Sequence, residues 1–366
     1  MTTIPHQRSA HPYHMYEAIW SQPVAIARVI SEEKLAVGEA ASLIDKGRYI
    51  HIVGIGTSWH AALVGEHILR TLSCSINSRA WNSFEFVTAP PPLDSSDVVI
   101  VLSHRGTKSY SIEALKLARL HGCSVILVTG IGSKARTDLA DIVIRTCPEE
   151  ISSAFTVSHS AALTVLMMIS VRVANGKTKD DIGRMVGTVE DLPRLVTAAL
   201  HLDSQTAEWA RSVRGSTRYY FAGWGSNEST AYEAALKIKE TSYVTTEGFQ
   251  VEQYLHGPFV ATENGTTVTF ICPPGPGRDR TKDLIQTVKA VGGYTVGLIS
   301  HEDQELRDLL DRAIILPDCP DLLSPVAYLI PLQLFTYWLA QEQECNPDVF
   351  RLNDSNHRAA KLNYIL

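Results

Sequence analysis

Residues 99–130 read VIVLSHRGTKSYSIEALKLARLHGCSVILVTG, and residues 268–300 read VTFICPPGPGRDRTKDLIQTVKAVGGYTVGLIS. Each stretch opens on a short apolar run, breaks at a loop of hydroxyl, Gly or Pro residues, continues as a helix and closes on a second apolar run. Apolar runs that do not alternate with polar residues are strands buried on both faces. Strands separated by helices pair in parallel. The shared rhythm predicts a duplication, two copies of one α/β domain.

Outward from these stretches the pattern holds. The first copy offers strands over 49–55, 97–102, 124–129 and 142–145, with helices over 60–73 and up to 120. The second offers a strand over 218–222, a helix over 229–243, and strands over 267–272, 295–299 and 313–316. Helices over 15–21 and 24–46, broken by Pro23, precede the first copy. A long helix over 158–173 and helical segments to 211 link the copies, and a helix over 324–343 leads into the tail. The expectation is an α/β protein of two tandem doubly wound domains with parallel sheets. An N-terminal arm and helices occupy 1–45, the first domain 46–200, the second 201–345 and the tail 346–366.

With 366 residues, 45% of them hydrophobic and 20% charged, the chain has room for two cores and an ordinary globular composition. A net charge of -6 argues against a nucleic-acid partner while leaving room for a local basic pocket. Cys74, Cys123, Cys147, Cys272, Cys319 and Cys345 show no CxxC or metal-ligand spacing, which fits reduced thiols in a cytoplasmic protein. The opening MTTIPHQRSAHPYH has no apolar core of the signal-peptide kind. Apolar runs such as 161–173 are too short to cross a bilayer, so no membrane partner is expected. GxSxG, HExxH, GxGxxG and GxxxxGK[ST] are absent, so no metal and no redox cofactor is expected.

In doubly wound sheets, ligands sit beyond the C-terminal strand ends. Two loops fall there in the first copy. Gly54-Ile55-Gly56-Thr57-Ser58 can turn tightly and offer hydroxyls and helix N-terminal amides to an anion. Ser103-His104-Arg105-Gly106-Thr107-Lys108-Ser109 adds three hydroxyls and two cations, a cradle for phosphate. The PPGPG loop of the second copy lacks that set, so no equivalent site is expected there. The second copy instead places Glu233, Lys237 and Glu240 at i, i+4 and i+7 of a helix, on one stripe. Its packed neighbours Ala234, Ala235, Leu236 and Ile238 imply that the stripe faces solvent, a partner or a cleft. His256 follows in a His-Gly-Pro turn, and a carboxylate with an imidazole can move protons at neutral pH. Spacing alone also allows a solvated charge stripe and a structural histidine. His60, His67 and His159 read as core or surface helix residues; for Trp59 and Trp224 the sequence allows a cleft-lining role, with packing the default.

Together these residues resemble the SIS (sugar isomerase) family, above all the isomerase module of glutamine–fructose-6-phosphate amidotransferase. Single-module relatives include amino-sugar-phosphate deaminases and fructosamine-phosphate deglycases. EAALKIKETSYVTTEGFQVEQYLHGP (233–258) is similar to the family's EGALKLKEISY…HGP, and GIGTSWHAA (54–62) to its CGTSYHA. MYEAIWSQP (15–23), ALTVL (162–166) and PLQLFTYWLA (331–340) extend the resemblance along nearly the whole chain.

The resemblance implies that Thr57, Ser58 and Ser103 bind the sugar phosphate, with His104, Arg105, Lys108 and Glu233 counted among the substrate-site residues. Glu240 would move a proton between C1 and C2, His256 would catalyse ring opening, Lys237 would order the stripe, and Lys361 would close over the open-chain sugar. The histidine would come from a neighbouring subunit, making a homodimer. The family's S-x-S-G-x-[ST] loop reads SHRGTK here, which shifts phosphate binding toward charge, and its STK stretch is replaced by SAFTVSH (153–159). No glutaminase segment is expected before the module, so ammonia delivered from glutamine within the chain is not expected.

The expected activity is a phosphosugar aldose–ketose isomerase acting as an amino-sugar-phosphate deaminase or fructosamine-6-phosphate deglycase on a phosphorylated hexose or amino-hexose. Removal of the acidic C–H beside a carbonyl or imine gives an enediol or enolamine, and water then releases the amine. A non-catalytic phosphosugar sensor, and an ammonia-dependent or trans-glutaminase glucosamine-6-phosphate synthase, are the competing readings.

Overall fold

A computed structural model describes residues 7–73, 76–174 and 179–364, with backbone alone for 179–182. Cys74 and the first six residues of the polar arm lie outside the described residues. The chain opens with three helices, α1 (His14–Trp20), α2 (Gln22–Glu32) and α3 (Lys34–Lys46). Pro23 sits in the first turn of α2, where its missing N–H costs nothing, and the expected 24–46 helix is divided at Glu33.

The first repeat runs β1 (Ile50–Gly54), α4 (Thr57–Leu72), β2 (Ser78–Asn82), α5 (Ser83–Thr88), β3 (Val98–Leu102), α6 (Ser109–Leu120), β4 (Ser124–Ile131) and β5 (Ile142–Pro148). Helices α7 (Val157–Arg172), α8 (Lys179–Glu190), α9 (Leu192–Leu200) and α10 (Asp203–Val213) follow. The second repeat runs β6 (Arg218–Gly223), α11 (Asn227–Ser242), β7 (Thr246–Gln250), α12 (Val251–Leu255), β8 (Thr266–Cys272), α13 (Arg278–Ala290), β9 (Tyr294–Ser300), α14 (Gln304–Leu309) and β10 (Arg312–Leu316). The chain closes with α15 (Ser324–Ala327), α16 (Leu329–Glu342) and α17 (Ser355–Ala360).

Each repeat forms a five-stranded sheet, ordered β2-β1-β3-β4-β5 in the first and β7-β6-β8-β9-β10 in the second. Every pairing is parallel. The duplication extends to register: Ile50 pairs with Ser78 and Val98, and Tyr219 with Thr246 and Thr267. Both repeats therefore change winding direction between their first and third strands, the point where such sheets open a ligand crevice.

Burial follows from the sequence. Strands β1, β3 and β8 are buried along their whole length because helices cover both faces. Helices α7 and α16 are apolar all round and buried almost throughout, as a helix with no polar face must be. A continuous helical stretch, Asp321–Glu342, is long and apolar enough to cross a membrane, which corrects the expectation that every apolar run is too short. Most of that stretch is packed inside the fold, which accounts for its composition.

The chain divides into two compact units. One holds the first sheet and comprises residues 21–150, 155–193 and 358–366. The other holds the second sheet and comprises residues 1–20, 151–154 and 194–357. The five described cysteines form no disulfide.

Candidate active site

In the unit of the first sheet, β1 runs directly into the first turn of α4. A Cβ on Gly54 would lie 2.3 Å from the Ser58 carbonyl oxygen, and Gly56 takes φ +57, so glycine is needed at both positions. That tight turn brings Thr57 and Ser58 to the strand end. They line a cavity with Ser103, His104, Thr146, Phe155, Ser158 and His159. In this conformation the cavity measures about 20 Å³, room for about one water.

Ser103 is 6% exposed, and its hydroxyl has no partner among the described residues. A buried hydroxyl without a partner carries a desolvation cost that a ligand can relieve. His104 Nε2 is also buried without a partner among the described residues, while Nδ1 lies 3.5 Å from Thr146 Oγ1. Burial pushes the His104 imidazole below its ordinary pKa, Glu150 pulls it up, and Arg105 adds to the lowering. The loop's backbone is fixed by Thr129 Oγ1 donating to Ser103 O (2.7 Å) and Gly130 N donating to His104 O (2.9 Å).

The SAFTVSH segment leads into the start of α7. Buried Glu150 accepts from Thr156 N (2.8 Å), Ser158 N (2.9 Å) and Ser158 Oγ (2.5 Å), a carboxylate set at a helix N-terminus. Arg105 is also committed locally. Its Nε lies 2.9 Å from Glu149 Oε1, it donates to Glu150 O at 3.1 Å, and its guanidinium lies 4.7 Å from the centre of the Phe155 ring. Lys108, at the N-cap of α6, is half-buried. Burial pushes its ammonium below the ordinary lysine range, and the like charges of Arg105 and Lys361 push the same way. Lys361 lies in a short 3₁₀ turn, Lys361–Asn363, in the same compact unit.

In the unit of the second sheet, α11 carries the acidic stripe. Lys237 is 1% exposed and Glu233 is fully buried, so these two face the protein interior rather than solvent, a partner or an open cleft. The ammonium lies 3.3 Å from Glu233 Oε1 and donates to Glu240 Oε2 at 2.5 Å. Burial alone would lower the Lys237 pKa, but the two carboxylates hold it above its ordinary range. Glu240 keeps 18% of its side chain exposed and is the member of the triad that reaches the surface. Helix α11 ends on Tyr243 in the left-handed region, φ +59, and the Tyr243 hydroxyl accepts from Arg351 N at 2.9 Å.

His256 caps the end of α12. Its side chain is 68% exposed, and its Nε2 lies 2.8 Å from Glu252 Oε1. Glu252 in turn accepts from Arg280 at 2.5 and 3.0 Å, and Arg280 with His256 holds its carboxyl down at about 2. The structure thus brings Glu233, Lys237 and Glu240 together, and brings Thr57, Ser58, Ser103 and His104 together around one cavity. Among the described residues the hydrogen-bond partner of His256 is Glu252.

Sequence reasoning missed Thr146, Phe155, Ser158 and His159 as cavity residues. The available signal was a Ser-His pair in the first turn of an otherwise apolar helix. Trp59 is half-buried, and Trp224 is a packing residue, as expected: a Cβ on Gly275 or Gly277 would fall 2.4 and 2.3 Å from its ring atoms. Among the described residues one group, His301, Glu302 and Asp318, places metal-ligand atoms within 4.8 Å of one another. All three are exposed.

A repeated parallel α/β sheet with a hydroxyl-lined cavity at its strand ends defines the class as a doubly wound α/β protein. More narrowly, the chain belongs to the SIS domain family, whose pattern matches residues 42–172 and 212–342. Its relatives include proteins named glutamine–fructose-6-phosphate aminotransferase (isomerizing). That of Thermococcus kodakarensis is 31% identical over 93% of this chain and 57% of its own length, and that of Pyrococcus horikoshii gives the same three figures. The chain therefore spans little more than half the length of these relatives. Among solved structures, the C-terminal domain of glucosamine-fructose-6-phosphate aminotransferase from Francisella tularensis superposes with TM-score 0.85 at 23% identity, covering 93% of this chain and 99% of that one. Glucosamine-6-phosphate deaminase from Thermotoga maritima gives TM-score 0.74 at 19% identity, covering 93% and 98%. These likenesses establish the phosphosugar isomerase-type SIS fold.

Proposed function

We propose that the chain is a phosphosugar aldose–ketose isomerase that releases an amine, acting as an amino-sugar-phosphate deaminase or a fructosamine-6-phosphate deglycase. Thr57, Ser58 and Ser103 hold the phosphate, with His104 and Lys108 beside them. Because the cavity is small, binding requires the 103–109 loop to shift. Glu240 is the base that takes a proton from the carbon next to the carbonyl or imine and returns it to the neighbouring carbon. Lys237, anchored by Glu233, fixes the Glu240 carboxylate. Arg105 orders the loop rather than binding substrate, since its guanidinium is already committed. His256, exposed and oriented by Glu252, opens the sugar ring in the site of a second copy, which makes a homodimer the functional unit. Lys361 closes over the open-chain sugar.

The observation that carries this reading is the buried Glu233–Lys237–Glu240 triad. Apolar residues in such positions stabilise a helix at least as well as an ion triad does, so a built triad with one carboxylate at the surface points to chemistry. The test is incubation with glucosamine-6-phosphate and with amino-acid conjugates of fructose-6-phosphate, assaying ammonia and free amino acid separately. Ammonia identifies a deaminase and amino acid a deglycase; neither product from any of these substrates would overturn the reading. The similarity to aminotransferases favours a second reading, synthesis of glucosamine-6-phosphate from fructose-6-phosphate and ammonia. The same assay run in that direction decides it.

A further inference from the structure

A cavity of about 530 Å³ opens at the other end of the second sheet, where its strands begin. Ser216, Gly265, Thr267, Gly293 and Tyr294 line it beside the starts of β6, β8 and β9, and every lining residue belongs to the unit of that sheet. Its volume lies within the range of small-molecule pockets, about 300–1,000 Å³. The strand pairing shows what made the room. Ile50, Val98 and Ser124 are joined across the first sheet as Tyr219, Thr267 and Tyr294 are across the second. By that register Arg48, Asp97 and Cys123 correspond to Thr217, Thr266 and Gly293. In the first repeat these side chains occupy the strand starts. Arg48 donates to both oxygens of Asp97 (2.9 and 2.8 Å), and the Cys123 thiol donates to Asp94 O at 3.3 Å. In the second repeat two threonines and a glycine replace them. Hydroxyls are added as the bulk is lost: Thr267 stands in place of Val98 and Ser216 in place of Gly47, with the two oxygens 2.7 Å apart.

The charges lining this cavity cancel. Lys289 Nζ donates to Asp311 Oδ1 at 2.7 Å, and the other Asp311 oxygen accepts from Thr295 N and Oγ1, both at 2.8 Å. Helix α10 ends here at Val213, and α13 ends one residue after Lys289. Helix C-termini carry partial negative charge, so an anion is disfavoured. What is left for a ligand is the hydroxyl and amide groups of Ser212, Ser216, Asn264 and Thr267, glycine backbone, and the half-buried Tyr294 ring. Such a lining suits a small molecule with many hydroxyls and one apolar face. We propose that the cavity binds an unphosphorylated monosaccharide, a hexose or hexosamine. The assignment does not depend on the phosphosugar reading, because this cavity and the one around Ser103 share no lining residue.

The test is titration calorimetry of the full-length protein with glucose and with glucosamine, each with and without saturating glucosamine-6-phosphate. Gly215→Trp is the blocking variant. A side chain at this lining position meets open space, and the backbone there is not left-handed. The expected result is that at least one free sugar binds with a Kd of about 10 mM or tighter, unaffected by the sugar phosphate, and about tenfold or more weaker in Gly215→Trp. Ser103→Ala, in the other cavity, leaves that binding unchanged. Tighter binding of glucosamine than of glucose assigns its amine to the helix C-termini; equal binding assigns recognition to the hydroxyls. Should Gly215→Trp fail to fold, Asn264→Leu is expected to weaken binding about threefold through a lost hydrogen bond. No binding of either free sugar, binding lost when glucosamine-6-phosphate is present, or equal binding by the wild type and the cavity variants overturns the site. A protein that binds free sugar here and turns over no sugar phosphate loses only the enzyme reading. One that turns over sugar phosphates and binds no free sugar loses only this site.

Discussion

Counting from the left-handed glycine that opens each helix, Gly56 for α4 and Gly225 for α11, the same three positions carry Val64, Ile68 and Thr71 in one repeat and Glu233, Lys237 and Glu240 in the other. Val64 and Ile68 are buried, and so are Glu233 and Lys237. One fold position thus accepts either an apolar pair or an ion pair. Burying the ions needs the full set, because an ammonium without its carboxylates would be stranded in low dielectric. The loops show the reverse bias. The first repeat leaves its β3 at Ser-His-Arg-Gly-Thr-Lys, and the second leaves β8 at Pro-Pro-Gly-Pro-Gly, packed against Trp224. The hydroxyl-rich loop stands in one copy and the buried ion triad in the other.

Other devices are shared, which shows that the divergence is local. Gly223 stands to Asn227 as Gly54 stands to Ser58, with a Cβ 2.2 Å from the carbonyl oxygen. Asp141 pairs with Arg119 and accepts from Val125 N, and Asp311 pairs with Lys289 and accepts from Thr295 N, at equivalent places in the two repeats.

The largest effect that would test the comparison is at Lys237. Lys237→Met leaves two carboxylates without their ammonium and should cost about 3–5 kcal/mol in chemical denaturation. The triple variant Glu233→Val, Lys237→Ile, Glu240→Thr copies the first repeat and should be neutral or more stable by about 1–4 kcal/mol, while losing turnover. A triple variant as unstable as the single one would show that the two helices are not interchangeable scaffolds. Next in size, Gly54→Ala and Gly223→Ala should each cost about 1–3 kcal/mol, and by similar amounts, because each drives a methyl into a backbone carbonyl. A marked inequality in their melting temperatures would break the symmetry.

The smallest effect belongs to the second repeat alone. Glu252 titrates at about 2 against an ordinary 4.5, so the interactions that hold it ionised are fully present above 4.5 and lost as pH falls through 2. Arg280→Gln should move the carboxyl resonance midpoint upward in an NMR titration, and an unmoved midpoint would remove Arg280 as the cause.

The sheet architecture was legible in the sequence because β1, β3, β4, β5, β6, β8, β9 and β10 are largely apolar runs ended by Gly or loop residues. The edge strands β2 and β7 were not. SRAWN and TEGFQ are short and half-polar and so show no apolar run to read, whereas β5 and β10, at the opposite sheet edges, keep theirs. Their loss from the reading is the same in both repeats, as a duplicated fold requires. The site was legible as residue types and only partly as geometry. A Glu–Lys pair four apart has the same spacing on a surface helix and in a core, so the burial of Lys237 could not be read from spacing. Ser158 and His159 were hidden by a helix whose composition speaks only of packing.

The most direct test of the central claim is solvent deuterium exchange at C1 of fructose-6-phosphate, and at C2 of the aldose phosphate formed from it, followed by proton NMR in D₂O with the full-length chain and with Glu240→Gln. The account predicts wash-in by the wild-type protein and none by the variant, with phosphosugar binding retained in both. Equal wash-in by the two proteins, or none by a wild-type protein that binds the sugar, would contradict it.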